Sequence, residues 1–491
     1  MNTKRTIMAL LIAAGCVAAE ARQERPAATE TRLRQAIDED KSAHNWPRFL
    51  GPDSVPIADN PRLPERWSTT ENVEWVVGVP GVGWSSPIVW EGKVFLTSAV
   101  SDRATKQPSL GTDFSNEYLA ELRARGLSSE EVNARLYERD REMPHEVVID
   151  VMLYCFDLES GARLWERRVY QGNPPGGRHR KNSFASETPV TDGERVYVYL
   201  GHLGLFAFDL DGTPVWATPL KLFKKIRDYG TGGSPALHGD RVIVLNDNEE
   251  QGFIAAFDKR TGKELWRTLR DLGEGRKTGW STPFVWEHEL RTEIVTVGPR
   301  AAISYGLEGE ELWRMPGMAT MTIQSPFVWG GRLFVTSGSG GQQGRSIASI
   351  RPGASGDITP ESPADSNAHV AWYNPLAGGT YLPTPIIYDG ALYELTSRGI
   401  FARYDVETGE RLYRARVAPG ASAFTSTPWA YNGKIFAMGE EGDTFVIEAG
   451  REYRLSHVND LDEWTLASPA IVDDRLLLRT QTRLYSIRNQ D

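Results

Sequence analysis

Residues 255–266 read AAFDKRTGKELW, in which an apolar run leads into a polar turn and a second strand. Trp266 follows the turn glycine, Gly262, by four residues. Glycine accepts the positive φ that a tight hairpin turn requires, so the tryptophan falls at a fixed height on the strand after the turn. The same offset joins Gly161 to Trp165, Gly212 to Trp216, Gly309 to Trp313 and Gly409 to Tyr413. We interpret this unit as a repeated β-hairpin that ends in an aromatic residue.

A second element of the repeat is a small polar residue followed by proline, which opens an apolar strand. Several successive prolines are 41 to 48 residues apart, whereas the gap after Pro87 is 102 residues and the gap after Pro326 is 59. A period of about 40 to 50 residues is typical of four-stranded propeller blades, and the two long gaps indicate insertions. The eight opening prolines are Pro87, Pro189, Pro235, Pro283, Pro326, Pro385, Pro428 and Pro469.

The two ends of the repeat indicate how a ring closes. The last copy begins at Pro469 and lacks its closing aromatic residue, while residues 73–77 form an orphan strand that contains one. Pairing the two completes an eighth blade and removes exposed strand edges. The sequence therefore predicts an all-β fold, an eight-bladed β-propeller of four-stranded antiparallel blades closed by an N-terminal strand. The aromatic residues predicted to pack between blades are Trp75, Trp165, Trp216, Trp266, Trp313 and Tyr413.

The connections between strands divide the two faces of the predicted ring. The first and third connections of each unit are short turns, so in an antiparallel meander they lie on one face, the short-turn face. The second connection and the blade-to-blade connection lie on the other, the long-loop face. Residues 100–150 are an insertion on that face in the first blade, and their charge density and leucine spacing predict helices.

The long-loop face is also where we predict binding of an anionic ligand or of a protein partner. Basic residues are concentrated in its loops although the chain as a whole has a net charge of −10. A local basic surface attracts anions. The candidate binding residues are Arg178, His179, Lys181, Asn182, Arg227, Asn248, Lys277 and Arg345.

The N-terminus has the pattern of an export signal. Lys4 and Arg5 precede the apolar run 7–14, and residues 17–19 form a small-residue cleavage site. Residues 13–16 also resemble a lipoprotein box, so the alternatives are a signal peptide of residues 1–19 and lipidation of Cys16. Residues 20–43 are predicted to be a disordered tether and residues 44–491 the propeller. The expected location is the periplasm, either free or anchored to the outer membrane by lipid.

Composition excludes several other classes of function. The net charge of −10 argues against nucleic-acid binding, which needs a basic surface. No other stretch approaches the roughly 20 apolar residues of a membrane span. The chain has two cysteines, and with Cys16 in the leader they cannot form a disulfide framework. Cys155 lies in an apolar strand, which predicts a buried, inert thiol.

The repeat in residues 255–266 resembles the PQQ-like propeller repeat, and the resemblance covers about residues 45–488. The lead-in 45–52 is similar to that of exported bacterial members related to the outer-membrane assembly lipoprotein BamB. The resemblance implies one of two functions. BamB-like proteins are scaffolds that hold partners in the cell envelope without a cofactor. Quinoprotein dehydrogenases oxidise an alcohol or a sugar with PQQ and Ca²⁺.

The cysteine content favours the first of these functions. Many such dehydrogenases place an adjacent cysteine pair over the quinone, and this chain has neither that pair nor a CxxCH haem site. We therefore predict a non-enzymatic binding or scaffold propeller without a cofactor. For the quinoprotein alternative, face and chemistry nominate Asp247 as the base, Glu187, Asn246 and Asp247 as Ca²⁺ ligands, and Trp280 as the stacking residue.

Overall fold

The structure is a computed structural model, and the leader and tether predicted for residues 1–43, with Cys16, lie outside the residues that it describes. Arg345 of the predicted binding face also lies outside them. The described residues are 44–103, 121–140, 147–338, 346–362, 366–375, 377, 379–421 and 423–490.

Within these ranges the strands form eight sheets, seven of four strands and one of five. In each of the first seven blades, four strands pair in the order in which they occur in the chain, which makes the blade an antiparallel meander. The predicted all-β eight-bladed propeller is confirmed. Buried apolar residues fill the spaces between neighbouring sheets, because both faces of each inner strand are covered by other blades.

The first four blades follow one another along the chain. Blade 1 consists of Ile88–Trp90, Lys93–Ser101, Ile149–Asp157 and Arg163–Gly172. Blade 2 consists of Val190–Thr191, Arg195–Leu200, Gly204–Asp209 and Pro214–Pro219. Blade 3 consists of Ala236–His238, Arg241–Asn246, Phe253–Asp258 and Glu264–Leu269. Blade 4 consists of Phe284–His288, Arg291–Gly298, Ala301–Tyr305 and Glu311–Pro316, with Gly356–Asp357 added in parallel to its outer strand.

The remaining blades complete the ring. Blade 5 consists of Phe327–Trp329, Arg332–Thr336, Ile347–Ile350 and Val370–Asn374. Blade 6 consists of Ile386–Tyr388, Ala391–Leu395, Ile400–Asp405 and Arg411–Arg416. Blade 7 consists of Trp429–Tyr431, Lys434–Met438, Thr444–Glu448 and Leu455–Asn459. Blade 8 consists of Ala470–Val472, Arg475–Arg479 and Arg483–Arg488, and its outer strand is Val73–Gly78. Antiparallel pairing of Val73–Gly78 with Arg483–Arg488 confirms closure by an N-terminal strand.

Helices are confined to connections in the part of the chain that the structure describes. The predicted helical insertion of blade 1 contains the helix Ser129–Asp140, preceded by helical residues 121–124. Ser128 caps the longer helix, because Glu131 N–H donates to its Oγ at 3.2 Å and Ser128 N–H donates back to the Glu131 carboxylate at 2.8 Å. A short 3₁₀ helix, Ile226–Asp228, lies between blades 2 and 3. No described helix is long and apolar enough to cross a membrane.

Tryptophans on outer strands pack on the turn glycine of the next blade. A β-carbon on Gly262 would lie 2.5 Å from the Trp216 ring, so only glycine allows this contact. The Trp216 indole N–H donates to Lys259 O in the same turn at 3.0 Å. Trp75, Trp165 and Trp266 make the same two contacts with blades 1, 2 and 4.

Three blades depart from the aromatic positions predicted from the sequence. Trp372 makes the contact with Gly409, and the four-residue offset does not find it because a long connection precedes its strand. Trp313 instead donates to Glu293 of its own blade at 2.6 Å. Tyr413 packs beside Phe401 and Tyr453.

The lead-in, residues 45–67, crosses the short-turn face of the ring. Pro47 O accepts the N–H of Thr191 in blade 2, whereas Val55 packs into the core between blades 5 and 6, on the opposite side. Farther along, Asn60 O accepts from the Asn432 side chain in a turn of blade 7 at 3.0 Å. The segment between Pro47 and Val55 therefore passes beneath the centre of the ring.

Candidate ligand-binding site

A ring of hydroxyl groups surrounds the centre of the propeller. The small polar residue before each opening proline supplies them, and most of these hydroxyls accept a hydrogen bond from the backbone N–H of the corresponding residue one blade earlier. The six bonds, of 2.9 to 3.3 Å, end on Thr188, Ser234, Thr282, Thr384, Thr427 and Ser468. The repeat motif thus places one hydroxyl per blade at the same height.

The hydroxyl ring leaves its O–H groups available. Within the described residues, none of the six accepting hydroxyls donates to another protein atom, and a serine or threonine hydroxyl can accept and donate at once. Ser86, the equivalent residue of blade 1, is 1% exposed, and its Oγ has no hydrogen-bond partner among the described residues. The ring therefore offers O–H donors to whatever lies at its centre.

These hydroxyls line a cavity of about 570 Å³. The loops that connect successive blades form its walls, which places it on the long-loop face. Phe49 of the lead-in also lines it, and because the lead-in crosses the short-turn face, Phe49 forms its floor. The cavity is large enough for a small-molecule ligand.

The charged residues of the cavity are all basic. Arg180, Lys181, Arg227 and Arg276 line it beside His179, whose Nδ1 accepts the N–H of Lys181 at 3.2 Å, and no aspartate or glutamate is among its lining residues in the part of the chain that the structure describes. Positive side chains on low-dielectric walls concentrate their field in the enclosed space. On a chain with a net charge of −10, this cavity is locally electropositive.

One of these cations is already partly neutralised. Lys181 Nζ lies 2.7 Å from Glu440 Oε2, and the Glu440 side chain is 1% exposed. Thr425 Oγ1 donates to the other carboxylate oxygen at 2.6 Å, so Glu440 is fixed behind the wall. The pair joins the loop before blade 2 to blade 7.

Aromatic residues form much of the remaining wall. Trp84 and Trp280 line the cavity with Tyr229 and Tyr381. The indole N–H groups are directed away from it, since Trp84 donates to Lys181 O at 2.8 Å and Trp280 to Gly230 O at 2.9 Å. Both ring systems are therefore held by hydrogen bonds at their edges. Trp84 also packs edge-to-face on Trp464 at 5.0 Å and is 6% exposed, so the half-buried Trp280 presents more aromatic surface to the cavity.

Four of the predicted binding residues meet at the cavity, namely His179, Lys181, Asn182 and Arg227. Arg227 lies in a left-handed backbone conformation, with φ of 50°, which is uncommon for a residue with a side chain. Arg180 and Arg276 also belong to the basic loops of this face in the sequence, and both line the cavity although they are not among the eight candidates. The polar residue before each proline was visible as a motif, but its convergence on one cavity was not.

Other predicted binding residues have internal roles. Arg178 is 6% exposed and donates to the carbonyl of Asn182 at 2.7 Å, so it stabilises its own loop. Asn248 is fully buried and accepts from the N–H of Gln251 at 2.7 Å. Lys277 is half-buried, and its N–H donates to Glu249 at 3.1 Å. These residues position the loops of the long-loop face and do not line the cavity.

Comparison with known proteins identifies the repeat. The family model of the outer membrane protein assembly factor BamB matches residues 150–283, from the third strand of blade 1 through blade 3. The match covers blades 2 and 3 and part of blade 1, which is where this chain resembles the PQQ-like repeat.

The proteins similar to this chain include an alcohol dehydrogenase and BamB. Over 125 residues the chain is 30% identical to the quinohemoprotein alcohol dehydrogenase ADH-IIG of Pseudomonas putida, a match that spans 24% of this chain and only 16% of that protein. The solved structure of that dehydrogenase from strain HK5 has a TM-score of 0.54 at 12% identity and covers 93% of this chain and 82% of its own. BamB from Moraxella catarrhalis has a TM-score of 0.47 at 12% identity, over 70% of this chain and 92% of its own. At 12% identity the dehydrogenase structure shows a common fold alone.

The residues nominated as Ca²⁺ ligands do not fit a divalent cation. Glu187, Asn246 and Asp247 lie outside the cavity lining and are no more than 2% exposed. The Asp247 carboxylate is paired with Arg270 at 2.6 Å, and Lys225 Nζ lies 2.5 Å from Asp247 O. Two resident cations thus already occupy this cluster. Within the described residues, no group of three or more His, Cys, Asp and Glu is arranged to hold a metal.

Of the other residues singled out in the sequence, Trp280 lies on the cavity wall, whereas Asp247 and Cys155 lie in the protein interior. Trp280 does line the cavity, where its ring can stack on a planar ligand. Asp247, the nominated base, is enclosed with Arg270 and presents no carboxylate oxygen to the cavity. Cys155 is buried in blade 1, and burial raises the pKa of its thiol to about 12, as expected of an inert cysteine.

Proposed function

We propose that this PQQ-like propeller is a non-enzymatic binding protein of the cell envelope that binds an anionic ligand in its central cavity. The ligand is a small anion or an acidic group of a protein partner docked on the long-loop face. The observation that carries the proposal is the donor-rich lining of the cavity, with five basic or histidine side chains and no carboxylate among the described lining residues.

The charges favour an anion over a neutral ligand. Arg180, Arg227 and Arg276 reach the cavity from three different blade connections, so an anion within it can contact more than one guanidinium. Guanidinium groups form short, charge-assisted hydrogen bonds with carboxylates and phosphates. A cationic ligand would meet the same groups as like charges.

The hydroxyl ring and the aromatic walls indicate which other chemical groups the ligand has. The ring supplies O–H donors, which are satisfied by oxygen acceptors. Trp84 and Trp280 supply apolar surface beside them. The cavity therefore fits an oxygen-rich anion whose body packs against aromatic rings, and the enclosed geometry reduces competition from water.

The proposal is tested by titrating the mature protein with citrate and with inorganic phosphate, followed by tryptophan fluorescence and calorimetry. We expect saturable binding that weakens with ionic strength, because the attraction is electrostatic. Arg276→Ala is expected to weaken citrate binding about tenfold, which corresponds to about 1.4 kcal/mol. The matched control is Arg260→Ala, which removes an exposed arginine from a short turn and should change nothing. Equal affinities for the two variants would contradict the proposed site.

Glu440→Gln should have the opposite effect on anion affinity. The substitution removes the negative charge that neutralises Lys181 while keeping an oxygen for the Thr425 hydroxyl. The freed ammonium should strengthen citrate binding several-fold, on the order of 1 kcal/mol. The double variant Lys181→Met with Glu440→Gln should lose the gain. An unchanged affinity in Glu440→Gln would place Lys181 outside the ligand's reach.

A quinoprotein dehydrogenase is the second candidate function. It is favoured by the 30% identity to a quinohemoprotein alcohol dehydrogenase over 125 residues and by Trp280 on the cavity wall. It is opposed by the misfit of Ca²⁺ to the Asp247 cluster. Two experiments distinguish the dehydrogenase from the non-enzymatic binding protein. One is titration with PQQ, with and without Ca²⁺, and the other is an assay of dye-linked alcohol and sugar oxidation. Turnover that needs PQQ would overturn the non-enzymatic proposal.

A further inference from the structure

Three oxygen-bearing side chains converge behind the wall of the central cavity. Glu187 Oε1 accepts the N–H of Gly201 at 3.1 Å, and Asn246 Nδ2 lies 3.5 Å from the carbonyl oxygen of the same residue. Asp247 follows Asn246 at the end of a blade 3 strand. All three are at least 98% buried, so the cluster is closed to bulk water. Buried carboxylates of this kind require a cation nearby.

Lys225 supplies that cation. Its side chain enters from the connection between blades 2 and 3, is 5% exposed, and donates to Asp247 O at 2.5 Å. Electrostatic interactions couple its ammonium to Asp247, Glu187 and Glu249.

The other ligating positions are also taken by protein groups. Arg270 Nε lies 2.6 Å from Asp247 Oδ1, and its Nη1 is fixed by Thr296 and Tyr305 at 2.7 and 2.8 Å. The Asn246 amide donates toward the Tyr199 hydroxyl at 3.3 Å. A divalent ion in this cluster would therefore have to displace an ammonium and disturb a bonded guanidinium.

We infer that the Lys225 ammonium is a built-in cation, held where Glu187, Asn246 and Asp247 would otherwise bind a divalent metal ion. The lysine makes the cluster independent of metal and keeps a positive charge next to Ile226 and Arg227, which line the cavity. The inference concerns the cluster itself and stands whether or not the cavity binds an anion.

The test uses Tb³⁺ as a probe, because its luminescence is sensitised by nearby tyrosine and tryptophan, and Tyr199 touches the cluster. The wild-type protein should give no saturable Tb³⁺ signal that depends on Glu187. Lys225→Ala should gain one, since removal of the ammonium leaves space and uncompensated oxygen ligands. Adding Glu187→Gln to Lys225→Ala should abolish the gain. The matched control is Lys259→Ala, which removes a partly buried, ion-paired lysine elsewhere in blade 3 and should gain nothing.

Two results would overturn the inference. One is a folded Lys225→Ala variant, verified by circular dichroism, that gains no Tb³⁺ site. The other is a wild-type Tb³⁺ or Ca²⁺ site that is lost in Glu187→Gln. If Lys225→Ala does not fold, the inference is tested instead by thermal unfolding of the wild type in the presence of Ca²⁺ and in the presence of EDTA. An unchanged melting temperature supports the built-in cation, and a Ca²⁺-dependent rise that is lost in Glu187→Gln contradicts it.

Discussion

Asp247→Ala is expected to destabilise the propeller by about 3 to 5 kcal/mol, because it leaves the Arg270 guanidinium buried without its carboxylate. Both side chains are 0% exposed, and the pair is joined at 2.6 Å. Water cannot replace the lost partner without opening the interface between blades 3 and 4. The measurement is chemical unfolding of the variant and the wild type at neutral pH.

A second variant tests whether the unpaired buried charge causes this loss of stability. Replacing both partners, as Asp247→Leu with Arg270→Met, removes the unpaired charge and should recover much of the lost stability. A stability loss below about 1 kcal/mol in Asp247→Ala would show that the pair is solvated, contrary to the structure.

Acidification is expected to destabilise the protein by about 3 kcal/mol between pH 6.5 and pH 4 through His202 alone. Burial lowers the pKa of His202 from 6.5 to about 4, and the ring packs beside Phe184. Between these values the unfolded chain binds a proton that the folded protein does not, so the free energy of unfolding falls as the pH falls. Below pH 4 both states are protonated and this contribution is fully lost.

The measurement is urea unfolding at several pH values in wild type and in His202→Phe, which keeps the packing without the titrating ring. The variant should lose less stability on acidification than the wild type, by about 3 kcal/mol. His238→Gln is the control, because His238 lies near a short turn with its side chain 24% exposed. Parallel pH profiles for wild type and His202→Phe would show that His202 is hydrated in the folded protein.

The fold could be predicted because its determinants are local in the sequence. A turn glycine and an aromatic residue four positions later define one hairpin, and the same hairpin recurs around the ring. Trp372 does not follow a turn glycine by four residues, because a long connection precedes its strand. It nevertheless packs on the turn of the next blade as the other tryptophans do. Closure by residues 73–78 was predictable because one copy lacked a strand that another segment could supply.

The candidate site was harder to predict because its residues come from many blades. The sequence places Arg178 and Arg180 in one basic loop, yet only Arg180 lines the cavity, because Arg178 turns back to bond the carbonyls of its own loop. The contribution of Phe49 depends on the path of the lead-in across the ring. The position of Lys225 depends on its contact with Asp247 O. The lysine lies in the connection between blades 2 and 3 and the aspartate follows a strand of blade 3, so the repeat pattern does not predict that they meet.

Closure by the N-terminal strand also constrains the order in which the protein can fold. Val77 pairs with Leu484, roughly 400 residues later in the chain, so the last blade cannot form until both segments are present. The outer edge of Arg483–Arg488 remains unpaired until then, and an unpaired edge of this kind is prone to intermolecular association. This junction is therefore the point at which an incomplete ring is most exposed to pairing with strands of another chain.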